Sequence, residues 1–374
     1  MSYDLKRIDL PALFGPVCRA TDALARLDEC IARSTIREGF LERQDFADAV
    51  SSMWVDGELV HVEDLVLHDA RRDARTPTHE LTIAHSVLRS RRQIGSHPAD
   101  WALSNAGLAR LRGEAREADA HSPLQPPSPT QVSSIPEGSP EDDDLALEDA
   151  GDEFAEIDAL LSRSSALIDD TLNNRPAAKR APDRDPLIYD ADWDEDARLD
   201  EWMQILRAAD ALPPVLKAAI ALDAWNQLQV LQHRAELGRQ LAAALLRQEG
   251  VARAHLPPLN VGLKAIKIDR RRSPSRMTRL LAILESIEET AATGLKEHDR
   301  LLAARAQLER RTANRRGHSR LPQLVDLVIA RPVVSASLIA QELDITPQGA
   351  LVLTKELNLR EMTGRGRYRA WGVL

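Results

Sequence analysis

Four arginines, Arg360, Arg365, Arg367 and Arg369, fall within ten residues near the C-terminus, with Gly364 and Gly366 between them. A guanidinium stays charged and forks onto phosphate oxygens, and glycine lets the backbone pass close to a phosphate. The chemistry on offer is phosphate neutralisation, which supplies most of the sequence-independent affinity for DNA. Other reactive residue types are less well placed. His79-Glu80 opens a helical stretch, but the zinc-protease spacing needs a second histidine where Ile83 stands. Isolated histidines do not meet the ligand count of a metal site, so no metal is expected. Cys18 and Cys30 are too few for a disulfide framework and suit a reducing cytosol.

The arginines need elements to carry them, and the preceding forty residues supply a winged helix-turn-helix pattern. Leu321, Leu324, Val325, Val328 and Ile329 make the apolar face of a first helix, stopped at Arg331-Pro332. Ser335 is the expected N-cap of a short second helix with Leu338, Ile339 and Leu343. Thr346-Pro347 restarts the chain as N-cap and first helical residue. The third helix runs to about Leu357 and would enter the major groove with Thr346 at its start and Gln348 and Lys355 outward. Its core register is either Ala350-Leu353-Leu357 or Ala350-Thr354-Leu357, and the second would turn Leu351 and Val352 toward the groove. The residues after it, Leu359 to Trp371, flank a Gly-rich turn in the manner of a hairpin.

Composition sets the frame around this module. A chain of 374 residues with 43% hydrophobic and only 3% aromatic content reads as a mostly α protein of two or three domains. The net charge is −9, yet from Arg315 onward nine Lys/Arg face five Asp/Glu, a local net of +4. MSYDLKRIDL is no signal peptide and no apolar run suits a membrane span, so a cytoplasmic protein is expected. Four segments follow: an N-terminal helical region (1–113), a linker (114–186), a helical core (187–316) and the winged helix-turn-helix (317–374). The linker holds six prolines between Ser122 and Pro140, then an acidic run from Glu141 to Asp158. Such composition buries too little apolar surface to order itself, apart from one possible helix over Phe154–Leu167. The run reads as a solvating spacer or as a DNA mimic competing for the basic wing.

Within the core, Leu280, Leu284, Ile287, Ala291, Leu295, His298, Leu301, Arg305 and Leu308 nearly sustain a heptad. Unbroken, this seam is a coiled coil that would pair two copies. Broken at Gly294, it is a helical hairpin. Ahead of it, Lys264, Lys267, Arg270, Arg271, Arg272, Arg276 and Arg279 form a basic cluster, either a second phosphate-tracking surface or a solvated loop.

Three stretches resemble the Fic-type family, in which an N-terminal helical region precedes an α-helical catalytic core and, in many members, a winged helix. Leu359-Arg360-Glu361-Met362-Thr363-Gly364-Arg365 is similar to that family's wing. Ser52-Met53-Trp54-Val55-Asp56-Gly57 resembles its inhibitory pattern [ST]xxxE[GN], with Asp56 in place of Glu. Leu237-Gly238-Arg239 resembles the end of its catalytic motif HPFx[DE]GNGRxGRLL. Anchoring Gly238-Arg239 on the last Gly-Arg puts Leu228 at the catalytic histidine and Gln232 at the metal-binding acid. His233-Arg234-Ala235 then replaces the anion-holding loop, and Glu236 the phosphate-binding arginine. Leucine cannot act as the base, and Glu236 repels phosphate. The resemblance therefore implies a body without catalytic residues or cofactor. The order of parts also resembles a family of rhizobial and related proteins joining a domain of unknown function to a C-terminal helix-turn-helix.

The sequence thus predicts a cytoplasmic transcriptional regulator that is not an enzyme. It would bind double-stranded DNA through Thr346, Gln348, Lys355, Arg360, Arg365, Arg367 and Arg369, as a homodimer if the seam pairs two copies. Its small-molecule effector is unspecified, and Ser52, Asp56 and Gly57 form an inhibitory-like motif. The competing readings are a divergent Fic-type nucleotidyltransferase acting on protein hydroxyls and an antitoxin-like protein that occupies a partner through Ser52 to Gly57.

Overall fold

A computed structural model describes residues 3, 5, 8–71, 76–113, 193–312, 320–362 and 369–373. The chain divides into two units, Met1–Asp119 with Asp194–Leu374, and Ala120–Trp193. The expected helix over Phe154–Leu167 and the acidic run lie outside the described residues, as does the wing tip with Arg365 and Arg367. No helix among the described residues is long and apolar enough to cross a membrane.

The first unit is mostly α. Its N-terminal helices are α1 (Leu10–Ala32), α2 (Arg37–Asp56), α3 (Val62–Asp69), α4 (His79–Ser96) and α5 (Asn105–Arg112). The central helices are α6 (Glu195–Ala208), α7 (Pro214–Leu228), α8 (Glu236–Gln248), the short α9 (Leu259–Ala265) and α10 (Ile268–Arg271), and α11 (Arg276–Thr312). The Thr78 side chain accepts from the Leu81 amide and caps the head of α4. Helix α7 is buried almost all round, as a central core helix must be. Its one buried acid, Asp223, accepts two hydrogen bonds from Arg279 and one from the Tyr3 hydroxyl at 2.7 Å.

Helix α11 is the unbroken one of the two alternatives, with a different partner from the one expected. It continues through Gly294 for 37 residues, so there is no hairpin. Nor is its seam open to a second copy. Leu280, Leu284, Ile287, Ala291, Leu301 and Leu308 are buried within the chain itself. Up to His298 the partner is α1, whose Leu13, Val17, Ala20, Leu24, Leu27 and Ile31 repeat at heptad spacing. Contacts rise in step along both helices: Arg19 meets Glu288, Leu27 faces Gly294, and Cys30 lies 3.4 Å from the His298 ring. The two therefore pack in parallel, in place of the intermolecular coiled coil.

Gly294 marks the closest approach of that pair rather than a break. A Cβ there would stand 2.7 Å from a Leu27 methyl. Gly294→Ala should thus lower stability by up to about 2 kcal/mol in urea unfolding. Overpacking at about 1–3 kcal/mol outweighs the roughly 1 kcal/mol that alanine gains in a helix interior. A stabilised variant would mean the crossing has room.

Candidate nucleic-acid interface

The C-terminal module comprises α12 (Leu321–Ala330), β1 (Val334–Ser335), α13 (Ala336–Glu342), α14 (Pro347–Glu356), β2 (Arg360–Glu361) and β3 (Ala370–Gly372). The strands form an antiparallel sheet in the order β1-β3-β2, with Val334 opposite Trp371 and Glu361 also opposite Trp371 on the other side. Local chemistry accounts for each joint. The Ser335 hydroxyl accepts from the Leu338 amide, capping α13. The Thr346 hydroxyl accepts from the Gly349 amide at 3.1 Å, capping α14 with Pro347 in the first turn. Between them Asp344 takes the left-handed conformation at φ +51° and so reverses the chain.

Helix α14 adopts the second of the two registers. Ala350, Thr354 and Leu357 are buried, while Leu353 is only partly so. Burying a threonine needs a partner for its hydroxyl, and Thr354 Oγ1 donates to the Leu351 carbonyl at 2.9 Å. The opposite stripe, spaced three and four apart, is Gln348, Leu351, Val352 and Lys355. Gln348 and Lys355 are exposed, and Val352 is 59% and Leu351 36% exposed. An exposed face of this kind offers two polar groups to base edges and two apolar groups suited to thymine methyls.

Arg360 is exposed on β2. Arg369 is also exposed, but its guanidinium donates twice to Glu361, at 2.9 and 2.5 Å, and lies 5.5 Å from the Trp371 ring centroid. Glu361 holds Arg369 across the hairpin, so a phosphate must compete with a carboxylate for it. Thr346 serves as the cap, and its hydroxyl is engaged in the helix rather than free for a ligand.

The contacts that hold this module come from distant residues with no local signal. Arg43, buried on α2, donates to three carbonyls at the end of α12: Val328 (3.0 Å), Ile329 (3.1 Å) and Arg331 (2.9 Å). It satisfies carbonyls that a helix C-terminus leaves open and places a cation at the negative end of the dipole. Gly39, one turn earlier, lets α12 approach, since a Cβ there would be 3.1 Å from Ile329. Arg331 in turn reaches Glu42 and Asp69, and Asp69 also takes two bonds from Arg92. Burial pushes the Asp69 carboxyl up, but Arg92 and Arg331 outweigh it and hold the group below the usual carboxylate range. From the other side Arg311 of α11 donates to the Leu357 carbonyl at the end of α14.

The motif-like residues of the body also meet. Ser52 and Asp56 lie one turn apart on α2, and both bond Arg239 of α8. Arg239 donates to Asp56 at 2.9 and 2.5 Å and to the Ser52 hydroxyl at 2.9 Å. Gly57 ends α2 in the left-handed conformation at φ +101°. Between α7 and α8, Gln229 and Arg234 also take positive φ. The Arg234 guanidinium fills the loop by donating to Glu236, to the Ser90 hydroxyl and to the Leu111 carbonyl. Gly238 packs against the Trp225 ring.

These features define a helix-turn-helix DNA-binding module seated on a helical body. The model of a helix-turn-helix DNA binding domain matches residues 321–374, and that of a protein of unknown function, DUF1612, matches residues 187–313. Over 383 aligned residues covering all of both chains, the sequence is 51% identical to the uncharacterized protein y4cF of Sinorhizobium fredii (strain NBRC 101917 / NGR234). The chain belongs to the same family as that protein.

Proposed function

We propose that the protein is a transcriptional regulator that binds double-stranded DNA through α14 and the basic hairpin. The observation that carries this reading is the stripe Gln348, Leu351, Val352 and Lys355, exposed on the third helix of a module matched as a DNA-binding domain. Gln348 and Lys355 face base edges, Arg360, Arg365 and Arg367 track phosphate, and Arg369 contributes when phosphate displaces Glu361. A dimer reading two half-sites must use a face other than the α11 seam.

The body is a non-enzymatic, Fic-like support in this reading. Arg239, which would hold phosphate in a nucleotidyltransferase, is instead paired with Asp56 and Ser52. Arg234 and Glu236 occupy the loop where such an enzyme needs open backbone amides. The four segments 1–113, 114–186, 187–316 and 317–374 then serve as clamp, spacer, support and reader, in a cytoplasmic protein.

The test is selection of fragmented genomic DNA by the full-length protein at two salt concentrations. A short site enriched at both salts is the expected result. Binding without sequence preference that vanishes at moderate salt would instead mark the module as non-specific or protein-directed.

A further inference from the structure

At the far end of α2 from the helix-turn-helix, a cleft of about 620 Å³ opens between that helix end and the α9–α10 segment. Trp54, Lys264, Lys267, Ile268, Arg271 and Arg272 line it. Two of these are large apolar side chains left in water, Trp54 at 40% and Ile268 at 49% exposure. Lys264 Nζ and the Arg271 guanidinium carbon stand 5.8 and 5.5 Å from the centre of the Trp54 ring.

The cleft carries four cations against two acids, Asp56 and Glu58. Arg270 pairs with Glu285, outside the lining. Among the described residues Lys264, Lys267 and Arg272 make no ion pair, and Arg271 bonds only the Ile266 and Val55 carbonyls. The acids on the rim are Asp56, already taken by Arg239, and Glu58. Burial, with Arg272 and Arg239 close by, pushes the Arg271 guanidinium below its usual range. A half-exposed indole with Lys264 and Arg271 beside its ring, in a cleft of small-molecule size that also carries Lys267 and Arg272, suits an anion borne on a flat ring.

We propose that this cleft binds a small anion carried on a planar ring, a nucleoside phosphate or an aromatic carboxylate, and is the effector site of the protein. Stacking on Trp54 holds the ring, and Lys264, Lys267, Arg271 and Arg272 hold the anion. The effector role rests on the DNA-binding reading. Its physical basis is α2 itself: Trp54 and Asp56 border the cleft, and Gly39 and Arg43 hold α12 further back on the same helix.

The test is calorimetric titration of the full chain, without DNA, with adenosine monophosphate and separately with 4-hydroxybenzoate. Inorganic phosphate and adenosine serve as the ring-free and charge-free controls. At least one ring-bearing anion should bind tenfold or more tighter than either control. Trp54→Leu and Lys264→Glu/Arg272→Glu, all at exposed positions, should each weaken it at least tenfold while circular dichroism melting stays as in the parent. Binding of one probe alone tells which source the site prefers. The cleft is refuted if neither probe binds at millimolar concentration, or if both variants bind as the parent does. A bound ligand that leaves affinity for a selected DNA site unchanged refutes the effector role alone. Ligand binding in a protein that selects no DNA refutes the DNA reading and leaves the cleft standing.

Discussion

Replacing Arg43 with alanine should destabilise the chain by about 2–4 kcal/mol and free the helix-turn-helix from its seat. One buried guanidinium serves three carbonyls at the end of α12. A hydrogen bond from a charged donor is worth roughly 1.5–3 kcal/mol, and each buried acceptor left bare costs about 1–3 kcal/mol. Water admitted to the new space recovers part of that, which sets the range below the sum. Burial pushes Arg43 down to about 10, so it is still charged at neutral pH. That burial opposes the gain and is another reason for the lower figure. Urea unfolding gives the total, and amide exchange in α12 gives the local part, which should rise first. Arg43→Lys should recover only part, because a single ammonium nitrogen cannot stand where both Nε and Nη2 do and leaves at least one of the three carbonyls bare. An alanine variant within about 0.5 kcal/mol of the parent, the spread of ordinary surface substitutions, with α12 still protected, would show that apolar packing alone seats the module.

What the sequence made legible was local. Ser335 and Thr346-Pro347 announce their helices because a cap acts on amides three residues away. Period also carried through: Leu321 to Ile329 turn the face they were expected to turn. The α14 register stayed open because a threonine and a leucine compete for one site, and only the neighbouring carbonyl decides. The α11 seam was visible, but a heptad does not say whether its partner is a second copy or a helix some 268 residues away in the same chain. Arg43 left no trace, being one charged residue on a helix of low hydrophobicity whose acceptors are more than 280 positions away. The Ser52, Asp56 and Arg239 pattern could be quoted from the sequence. That these residues touch could not, since the pair is separated by 183 positions.

A double reversal, Arg365→Glu/Arg367→Glu, should abolish DNA binding at physiological salt, a loss of at least about 100-fold, because two phosphate contacts become two repulsions. Each contact removed should also flatten the dependence of log K on log salt by about 0.9, so the variant's slope should be shallower by nearly 2. Changes on the α14 stripe should behave differently. Gln348→Ala should cost about 1–3 kcal/mol on the preferred site if its amide reads a base, with the salt slope unchanged. Val352→Ala should do the same on a smaller scale wherever a thymine methyl is the contact. The two readouts separate grip from reading, which a single affinity cannot do. Arg369→Ala supplies the internal comparison: because Glu361 already holds that guanidinium, its loss should be milder than loss of an unpaired arginine. A double reversal that binds as well as the parent, with an unchanged slope, would take the hairpin out of the interface. The apolar centre of the α14 stripe, Leu351 and Val352, would then mark a surface for protein rather than DNA.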